Sequence, residues 1–475
     1  MKIVKPELDL RVDRALELPM YLQICQRFKT AIEQGHLRAG DRVPAVRALA
    51  TELNLARGTV EMAYRILADE GYLQVRGAAG TVVSPSLPQP AILKPQVALA
   101  GQAQPAVTDH DGKAPRPLQM GLPALDAFPR KVWNRLVGHR LRGSELARLG
   151  FPDPVGYDRL RERIATYLGV SRGVACLPEQ VFITTGLHNT MELTLRSLSI
   201  AGDALWFEDP GYILARLFLQ NAAIKLVPVP VDDNGLMVEA GKRLSPSAKF
   251  ALVTPSHQSP LGVTLSLERR MALLEWADKA GSWIIEDDYD SEFRYQGRPL
   301  PALKSLDRND RVIYSGTFSK AMFPGLRLAY VVVPLSAVAR FQAVSYNINS
   351  GCPYLFQASV ADFMAEGHFS RHLKKMRLLY AQRRALTQRV FQEVLGDRIR
   401  IDLQAGGLHM LAKLAAHEDD ITLAERAHAA GLALNPLSRW YIKAKPRQGL
   451  LLGFANVIDE KDALRLALKL REAIT

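Results

Sequence analysis

The chain has 475 residues, of which 48% are apolar and 23% are charged, and its formal net charge is +13. This is an ordinary globular composition, and the length favours two or three domains. No apolar run is long enough to cross a membrane and no signal peptide is visible at the start, so we expect a cytoplasmic protein without a membrane partner.

The excess of positive charge suits a nucleic-acid-binding protein without establishing one. Residues 1–83 hold 12 basic and 10 acidic side chains, so most of the excess lies further along the chain. Part of it lies in a segment that begins at Arg371 and reads "RHLKKMRLLYAQRRALTQR". That segment has the spacing of an amphipathic helix, whose basic face is expected to be solvated.

Residues 1–84 are predicted to form a small domain of three helices and a hairpin. The segment "LPMYLQICQRFKTAIEQGHL" has apolar residues at helical spacing and meets a helix stop at Gly35. Next, "RVPAVRALATELNLARGTVEMAYRILADEGYL" predicts two helices joined by a short turn at Asn54-Leu55, and "YLQVRGAAGTVV" predicts a hairpin wing. Such a helix-turn-helix places its second helix in the major groove of double-stranded DNA, although simple helical packing would also explain the pattern.

Residues 85–117 are predicted to be a tether between two domains. They are rich in Pro, Ala and Gln, include seven prolines and show no sustained periodicity. This composition predicts an extended, partly disordered linker.

Residues 118–475 are predicted to form a large α/β domain. Apolar runs such as "VFITTG", "DALWFED", "KFALVTP", "SWIIEDD", "RVIYSG" and "RLAYVVV" alternate with helix-like stretches. Strands alternating with helices predict a mainly parallel sheet that is covered on both faces. The part after the basic helix mixes helix and strand and is expected to form a smaller C-terminal subdomain.

Lys320 lies between two apolar, strand-like runs in "IYSGTFSKAMFPGLRLAYVVVP". A lysine in such a position needs a partner or a reaction to justify its burial. Imine formation with the aldehyde of pyridoxal 5'-phosphate would use it, because that chemistry needs a nucleophilic amine in a shielded pocket. The same cofactor also needs a partner for its pyridine nitrogen, a cradle for its phosphate and a surface for its ring.

Candidates for the ring contacts stand at the ends of predicted strands, where ligands bind in sheets of this kind. In "WIIEDDYDSEFRY", Asp287 can hold the pyridine nitrogen protonated and Tyr289 can reach the phenolic oxygen. In "FEDPGY", Tyr212 can stack on the ring.

Candidates for the phosphate contacts lie near two further strand ends. In "VFITTGLHNTMEL", the turn at Gly186 precedes a helix-like segment and presents the main-chain N–H groups of Leu187 and His188 to an anion. Arg327 adds a planar cation suited to bidentate phosphate binding, and Thr317 adds a hydroxyl.

Each of these features also has a simpler explanation. A strand-end aspartate often caps a helix, a glycine turn is often only a turn, and Tyr212 fits a core aromatic. The acidic run "EDDYD" could bind a metal, but no histidine is close to it in sequence, and the cysteines at 25, 176 and 352 are too far apart for a zinc cluster or a disulfide framework. We therefore predict no metal site, and the joint order of the four cofactor features favours pyridoxal phosphate.

The front domain resembles the winged helix of the GntR family from "MYLQICQRF" to the wing. The residues that carry the match are Arg47, the run Arg57-Gly58-Thr59-Val60, Gly71-Tyr72 and Gly80-Thr81. The resemblance implies five DNA-binding residues: Arg47, Arg57, Gly58, Thr59 and Arg76. Alanine stands at positions 45 and 56, where the family usually has serine, so a capping hydroxyl worth about 1 kcal/mol is missing from each of two helix starts.

The large domain resembles a fold-type I aminotransferase and, within that class, the MocR subfamily of GntR regulators. The match is carried by "GLPALDAFPRKVW", "GYDRLRERIATYLGVSRGV", "FEDPGY", "TPSHQSPLGVTLSLERR", "IIEDDYDSEFRY", "SGTFSKAMFPGLRLAY", "GGLHM" and "LLLGFA". The resemblance implies a head-to-tail homodimer, with each winged helix near the large domain of the partner. It also implies these cofactor roles: an imine at Lys320, the pyridine nitrogen on Asp287, the phenolic oxygen near Tyr289 and Gln258, the phosphate on Arg327 and the ring under Tyr212.

The sequence departs from this family pattern at two places that concern ligands. Leu187-His188-Asn189 stands where many relatives have Ser-Gln-Gln, which preserves main-chain phosphate contacts but not side-chain ones. Leu214 stands where some relatives have an arginine that grips the carboxylate of the effector. Arg439 in "PLSRWY" is an alternative effector-binding residue, with a surface or packing role as the competing explanation.

The leading hypothesis is a transcriptional regulator rather than an enzyme. Its aminotransferase-like domain would sense an amine, an amino acid or a B6 vitamer through the Lys320 imine. An active aminotransferase with an accessory DNA-binding domain is the alternative. A scaffold that binds DNA and no cofactor would require Lys320 to be incidental.

Overall fold

The computed structural model describes residues 10–77, 80–85, 115–143, 150–297, 301–348, 351–415 and 417–474. The chain divides into two compact units, Met1–Gln104 and Pro105–Thr475. Most of the predicted tether, residues 86–114, lies outside the described residues. Among the described helices, none combines the length and the apolar character that a membrane crossing requires.

The first unit is a three-helix domain with a small antiparallel hairpin. Its elements are α1 (Met20–Glu33), α2 (Val46–Glu52), α3 (Arg57–Asp69), β1 (Leu73–Val75) and β2 (Thr81–Val83). Apolar residues of all three helices form one core, which includes the fully buried Phe28, Leu49 and Val60. This is the helix-turn-helix with a wing that the sequence predicts; Ala78 and Ala79 at the tip of the wing lie outside the described residues.

The turn between α2 and α3 and the starts of both helices follow from single residues. Asn54 adopts a positive φ of 52°, which asparagine tolerates better than most residues and which closes the turn. Ala45 and Ala56 occupy the N-cap positions of α2 and α3, and neither helix has a side-chain cap. The first N–H groups of α3 are therefore left for solvent or for a phosphate.

The second unit contains an eight-stranded sheet among its described residues, in the order β3-β10-β9-β8-β7-β4-β5-β6. Strands β10 and β6 run antiparallel to their neighbours, and the others share one direction, which confirms the mainly parallel sheet. The strands are β3 (Val181–Thr184), β4 (Ala204–Asp209), β5 (Lys225–Asp232), β6 (Gly235–Leu236), β7 (Phe250–Val253), β8 (Trp283–Asp288), β9 (Val312–Thr317) and β10 (Ala329–Val332).

Both faces of this sheet are covered. Successive residues of one strand belong to different apolar clusters: Trp206 packs with Ile284, whereas its neighbour Phe207 packs with Phe182 and Ile285. This is the alternation expected of a strand buried on both sides. The helices of the unit up to the basic segment are α4 (Arg130–Arg142), α5 (Asp158–Arg172), α6 (Leu187–Leu198), α7 (Ile213–Asn221), α8 (Val238–Leu244), α9 (Leu267–Ala280), α10 (Phe318–Ala321), α11 (Val338–Ile348) and α12 (Tyr354–Ala365).

The end of the chain forms the expected smaller subdomain. Its antiparallel sheet has the order β11-β12-β14-β13. The strands are β11 (Ile399–Ile401), β12 (His409–Leu414), β13 (Asn435–Pro436) and β14 (Gly449–Gly453), and the helices are α13 (His368–Leu395), α14 (Asp420–Ala429) and α15 (Glu460–Ile474). The basic segment lies in α13 as predicted; most of its cations are exposed, but Arg383 and Arg384 are buried.

One carboxylate joins the small sheet to the large one. Asp209, the last residue of β4, is buried and accepts hydrogen bonds from the main-chain N–H groups of Ile442, Lys443 and Ala444 at 2.7, 2.7 and 2.8 Å. Charge-assisted bonds of this kind are about twice as strong as neutral ones. The subdomain is therefore fixed at the strand end that leads to Tyr212.

Candidate functional site

A cavity of about 240 Å³ lies at the carboxyl ends of the parallel strands of the large sheet. Its wall also includes Met120, Gly121 and Leu122 from the start of the unit. The wall contains most of the residues that were predicted to bind a cofactor: Gly186, Leu187, Tyr212, Asp287, Tyr289, Thr317, Lys320 and Arg327.

Lys320 reaches this cavity from a short helix that follows β9. Thr317 ends the strand, and its hydroxyl caps α10 by accepting from the N–H of Ser319 at 3.1 Å. The Lys320 Nζ donates to the carbonyl oxygen of Gly121 at 2.6 Å. Burial lowers the pKa of Lys320, although the charges of Asp290 and Asp287 oppose the shift. A lowered pKa favours the neutral, nucleophilic amine.

Asp287 faces the cavity because of the alternation along β8. Its neighbours Glu286 and Asp288 point the other way, where Asp288 accepts from the Arg172 Nε at 2.8 Å and from the Tyr314 hydroxyl at 2.6 Å. Burial, followed by the charge of Asp288, raises the pKa of Asp287 to about 7. A cationic group in contact with this carboxylate would favour its ionised form.

The proposed phosphate cradle is formed by the N-terminus of α6 and by Arg327. Gly186 is the N-cap of α6 at a φ of 142°, a backbone conformation that other residues rarely adopt. A Cβ atom at that position would lie 3.1 Å from the Arg327 Nη2, so glycine allows the guanidinium to approach the helix end. Helix N–H groups together with a planar cation form an anion site.

Two tyrosines complete the ring surroundings. Tyr212 is the N-cap of α7, and its ring centroid lies 6.1 Å from that of Trp440. Burial and the charge of Asp287 raise the pKa of Tyr212 to about 12, so its hydroxyl remains protonated at neutral pH. The Tyr289 hydroxyl lies 3.0 Å from the His257 Nδ1.

These groups fit pyridoxal phosphate by their chemistry. The wall contains the buried amine of Lys320 and the carboxylate of Asp287, whose ionised form is unfavourable without a cationic partner. It also contains an anion cradle at Gly186, which a Cβ atom would obstruct. Each is a requirement that the cofactor places on its binding site.

The structure places the side chains of Gln258 and Arg439 away from the cavity wall. The Gln258 amide turns into the protein and donates to the Glu208 Oε2 at 3.1 Å, and the neighbouring Ser259 takes its place on the cavity wall. Arg439 does not line the cavity, because its guanidinium pairs with Glu425 at 3.1 Å in a partly exposed position. The His188 ring also leaves the wall to stack on Phe218, so only its main chain remains a predicted phosphate contact.

Three buried residues beside the cavity form a cluster that the sequence pattern did not predict. Asp290 lies 3.2 Å from the His257 Nδ1, and the ligand-type atoms of His257, Asp290 and His409 all lie within 4.8 Å of one another. No histidine is close to the acidic run in the sequence, but the fold brings His257 and His409 to it. The only sequence signal was a polar residue in each of the segments "SHQSP", "YDSEF" and "GGLHM".

The predicted DNA-binding residues lie on the surface of the first unit. Arg57, Gly58 and Thr59 form the first turn of α3, and Arg57 is paired with Glu61 at 2.7 Å. Arg47 on α2 and Arg76 after β1 are exposed. An exposed cation at the start of a recognition helix can exchange its carboxylate partner for a DNA phosphate.

Two family profiles match the chain in the order of its two units. The profile of the bacterial regulatory proteins of the gntR family matches residues 20–83. The profile of aminotransferase class I and II matches residues 126–433.

Two relatives match this chain over almost their whole length. The probable rhizopine catabolism regulatory protein MocR of Rhizobium meliloti is 38% identical over 457 residues, which cover 94% of this chain and 92% of that protein. The HTH-type pyridoxine biosynthesis transcriptional regulator PdxR of Corynebacterium glutamicum is 32% identical over 457 residues, which cover 94% of each chain.

Solved structures similar to the large unit are aminotransferases. An archaeal alanine:glyoxylate aminotransferase superposes with a TM-score of 0.70 at 26% identity, over 76% of this chain and 91% of its own. The α-aminoadipate aminotransferase LysN of Thermus thermophilus, in complex with N-(5'-phosphopyridoxyl)-L-leucine, superposes with a TM-score of 0.68 at 26% identity, over 75% and 91% of the two chains. The second unit therefore has the fold-type I aminotransferase fold.

Proposed function

This chain belongs to the MocR subfamily of the GntR transcriptional regulators, and from that premise we propose that its large domain binds pyridoxal phosphate at Lys320 and senses a small amine, an amino acid or a B6 vitamer. The chain is a DNA-binding regulator with an aminotransferase-like domain. The observation that carries the proposal is the convergence of Lys320, Asp287 and Arg327 on one cavity, although they are separated along the chain.

Different residues of the wall would hold different parts of the cofactor. Lys320 provides the attaching amine, and Asp287 keeps a proton on the ring nitrogen because its own carboxylate needs a cationic partner. The N-terminus of α6 and Arg327 hold the phosphate, and Tyr212 covers the ring. When it is bound, pyridoxal phosphate supplies an aldehyde that exchanges between amines and a ring that absorbs visible light.

Sensing requires two arrangements of the wall that the effector distinguishes. In this structure the Lys320 Nζ donates to the Gly121 carbonyl oxygen. If pyridoxal phosphate were attached at Lys320, an effector amine that released the lysine would favour the arrangement with this hydrogen bond. The effector can shift the equilibrium between the two arrangements of the wall only by the difference in its affinity for them.

We propose a regulator rather than a working enzyme, and an active aminotransferase is the second candidate. The similar solved structures are aminotransferases, and Lys320 and Asp287 are both present, which favours that alternative. The relatives matched over their whole length are named as regulators, which favours the first. Steady formation of keto product over many turnovers would decide for the enzyme.

Attachment at Lys320 can be tested on the full chain by visible spectroscopy and mass spectrometry. With added pyridoxal phosphate, the wild-type protein should gain a visible band that Lys320→Ala lacks, and borohydride reduction should fix the cofactor mass on the peptide that contains Lys320. Lys279→Ala is the matched control, because this lysine is exposed and, among the described residues, its ammonium pairs with Glu275. An unchanged band in Lys320→Ala would refute the assignment.

The DNA-binding residues and the head-to-tail homodimer are further parts of the proposal. The first turn of α3 and the exposed Arg47 and Arg76 support operator contacts by these residues. Light scattering would measure the oligomeric state, and mobility shifts with operator DNA would measure the contribution of each arginine. A monomer that binds operator DNA with full affinity would refute the dimer.

A further inference from the structure

The cavity wall retains no lysine or arginine for an effector carboxylate once the proposed cofactor is bound. Among the described wall residues, the lysine is Lys320 and the arginine is Arg327, and both are assigned to the cofactor. Leu214 contributes only an apolar surface. A carboxylate brought into this wall would lose its hydration without gaining a cationic partner, which is unfavourable.

Two arginines close to the wall already have partners of their own. Arg216, on the same helix as Leu214, donates to the carbonyl oxygens of Tyr441 and Arg439 at 3.1 and 3.2 Å. Arg439 itself pairs with Glu425. Turning the Arg216 guanidinium into the cavity would break two hydrogen bonds to the main chain, and turning that of Arg439 would break an ion pair that is partly exposed and therefore weaker.

Asp290, a residue of the wall, has a buried carboxylate oxygen that lacks a donor among the described residues. Asp290 lines the cavity and is 98% buried, and its Oδ2 accepts from the N–H of Leu408 at 3.2 Å and faces the ring of His257. Its Oδ1 has no hydrogen-bond partner among the described residues. A buried carboxylate oxygen without a partner is costly, so this atom favours a ligand that brings a donor.

His409 adds a second acceptor next to Asp290. Its Nε2 lies 3.0 Å from the carbonyl oxygen of Pro260, which can only accept, so the Nε2 carries the ring proton. The Nδ1 is then an acceptor. Burial lowers the pKa of His409 to about 4, so the ring remains neutral at physiological pH.

We propose that the effector is a primary amine that carries a second hydrogen-bond donor, an ammonium or a hydroxyl group, and no carboxylate. Its attaching amine meets the cofactor, its distal donor bonds to the Asp290 Oδ1, and its body lies against Leu214 and Trp440. The inference rests on the proposed function and narrows its effector class. It also gives Asp290 and His409, which the sequence did not bring together, a role in binding the effector.

The test compares four amines with the same four-carbon skeleton on the full-length protein loaded with pyridoxal phosphate. The amines are 1,4-diaminobutane, 4-amino-1-butanol, butylamine and 4-aminobutanoate. The readouts are the concentration that half-converts the visible band and the shift in Tm. A charge-assisted hydrogen bond predicts that the diamine acts at a concentration about tenfold below that of butylamine, with the amino alcohol between them and 4-aminobutanoate weakest.

Two variants separate recognition from folding. Asp290→Asn keeps the size of the side chain and removes its charge, so the advantage of the diamine over butylamine should disappear while the visible band remains. Leu214→Arg should improve the response to 4-aminobutanoate by about tenfold and weaken the response to the diamine. It replaces an apolar wall residue, so it still provides a test where Asp290→Asn does not fold. Leu335→Arg, at an exposed leucine outside the cavity, is the matched control.

The outcomes distinguish this inference from the function on which it rests. A visible band that depends on Lys320 but responds best to 4-aminobutanoate would overturn the inference and leave the proposed function standing. The absence of any band would overturn both. A response that a chelator abolishes would assign His257, Asp290 and His409 to a metal ion and would also overturn it.

Discussion

Replacement of Asp287 by asparagine should stabilise the cofactor-free protein and weaken its hold on the cofactor. The pKa of the buried carboxyl is about 7, against an ordinary value of 3.8. A carboxyl group whose pKa is higher in the folded chain binds its proton more tightly there. The free energy of unfolding therefore falls as pH rises from about 3.8 to about 7, and the loss is complete above that range.

The size of this loss follows from the same two pKa values. At 1.36 kcal/mol per pH unit, the difference corresponds to about 4 kcal/mol at pH 8, as an upper limit. Asp287→Asn removes the charge and keeps the shape, so the stabilisation should be largest at pH 8 and should shrink toward pH 5. The cofactor affinity should fall at the same time, because the ring nitrogen loses its anionic partner.

The assay is thermal unfolding of cofactor-free full-length protein at pH 5 and pH 8, followed by titration with pyridoxal phosphate. Asp233→Asn is the matched control, since Asp233 is exposed. A Tm difference between Asp287→Asn and wild type that is the same at both pH values would refute the electrostatic reasoning. Unchanged cofactor affinity would refute the assigned role.

Three further results are expected. Gly186→Ala should weaken pyridoxal phosphate binding by about tenfold or more in a spectroscopic titration. Alanine is strained at this φ, and its Cβ atom would lie 3.1 Å from Arg327, so both effects disturb the cradle. Gly202→Ala is the control for backbone strain alone, because Gly202 has a positive φ and open space around it. Arg57→Ala should weaken operator binding and reduce the number of counterions released on binding by about one. Fluorescence anisotropy at several salt concentrations measures this number as the slope of log affinity against log salt concentration. An unchanged slope would show that Arg57 contacts no phosphate. Asp209→Asn should lower the Tm of the large domain, because three main-chain N–H groups lose a charged acceptor. The expected loss in the free energy of unfolding is about 1–3 kcal/mol in total. An unchanged Tm would show that these bonds to the C-terminal subdomain are dispensable.

The positions that follow from strand periodicity were predictable from the sequence. An apolar run that ends in "EDD" identifies a strand end, and the alternation of strand side chains separates Asp287 from Glu286 and Asp288. Lys320 was conspicuous because it is a cation between two buried strands. The fold class followed from the same alternation of strands and helices.

The positions on loops were not predictable in the same way. Gln258 and Ser259 are adjacent in a segment without regular periodicity, so the sequence does not show which of them faces the cavity. Asp290 meets histidines 33 and 119 positions away because the loops that follow different strands converge at one edge of the fold. The pairing of Arg439 with Glu425 depends on tertiary packing, which local composition does not reveal.

The hydrogen bond between Lys320 and Gly121 has a consequence for the segment by which the chain enters the large domain. Where the chain enters the large domain, three carbonyl oxygens hold it: those of Pro117 and Leu118 accept from the C-terminal part of the chain at 2.9 and 2.8 Å, and that of Gly121 accepts from Lys320. Gly121 is therefore the one of the three whose donor is the side chain that we propose attaches the cofactor. A reaction at Lys320 would remove a hydrogen bond at the entry of the chain into the large domain, four residues after Pro117.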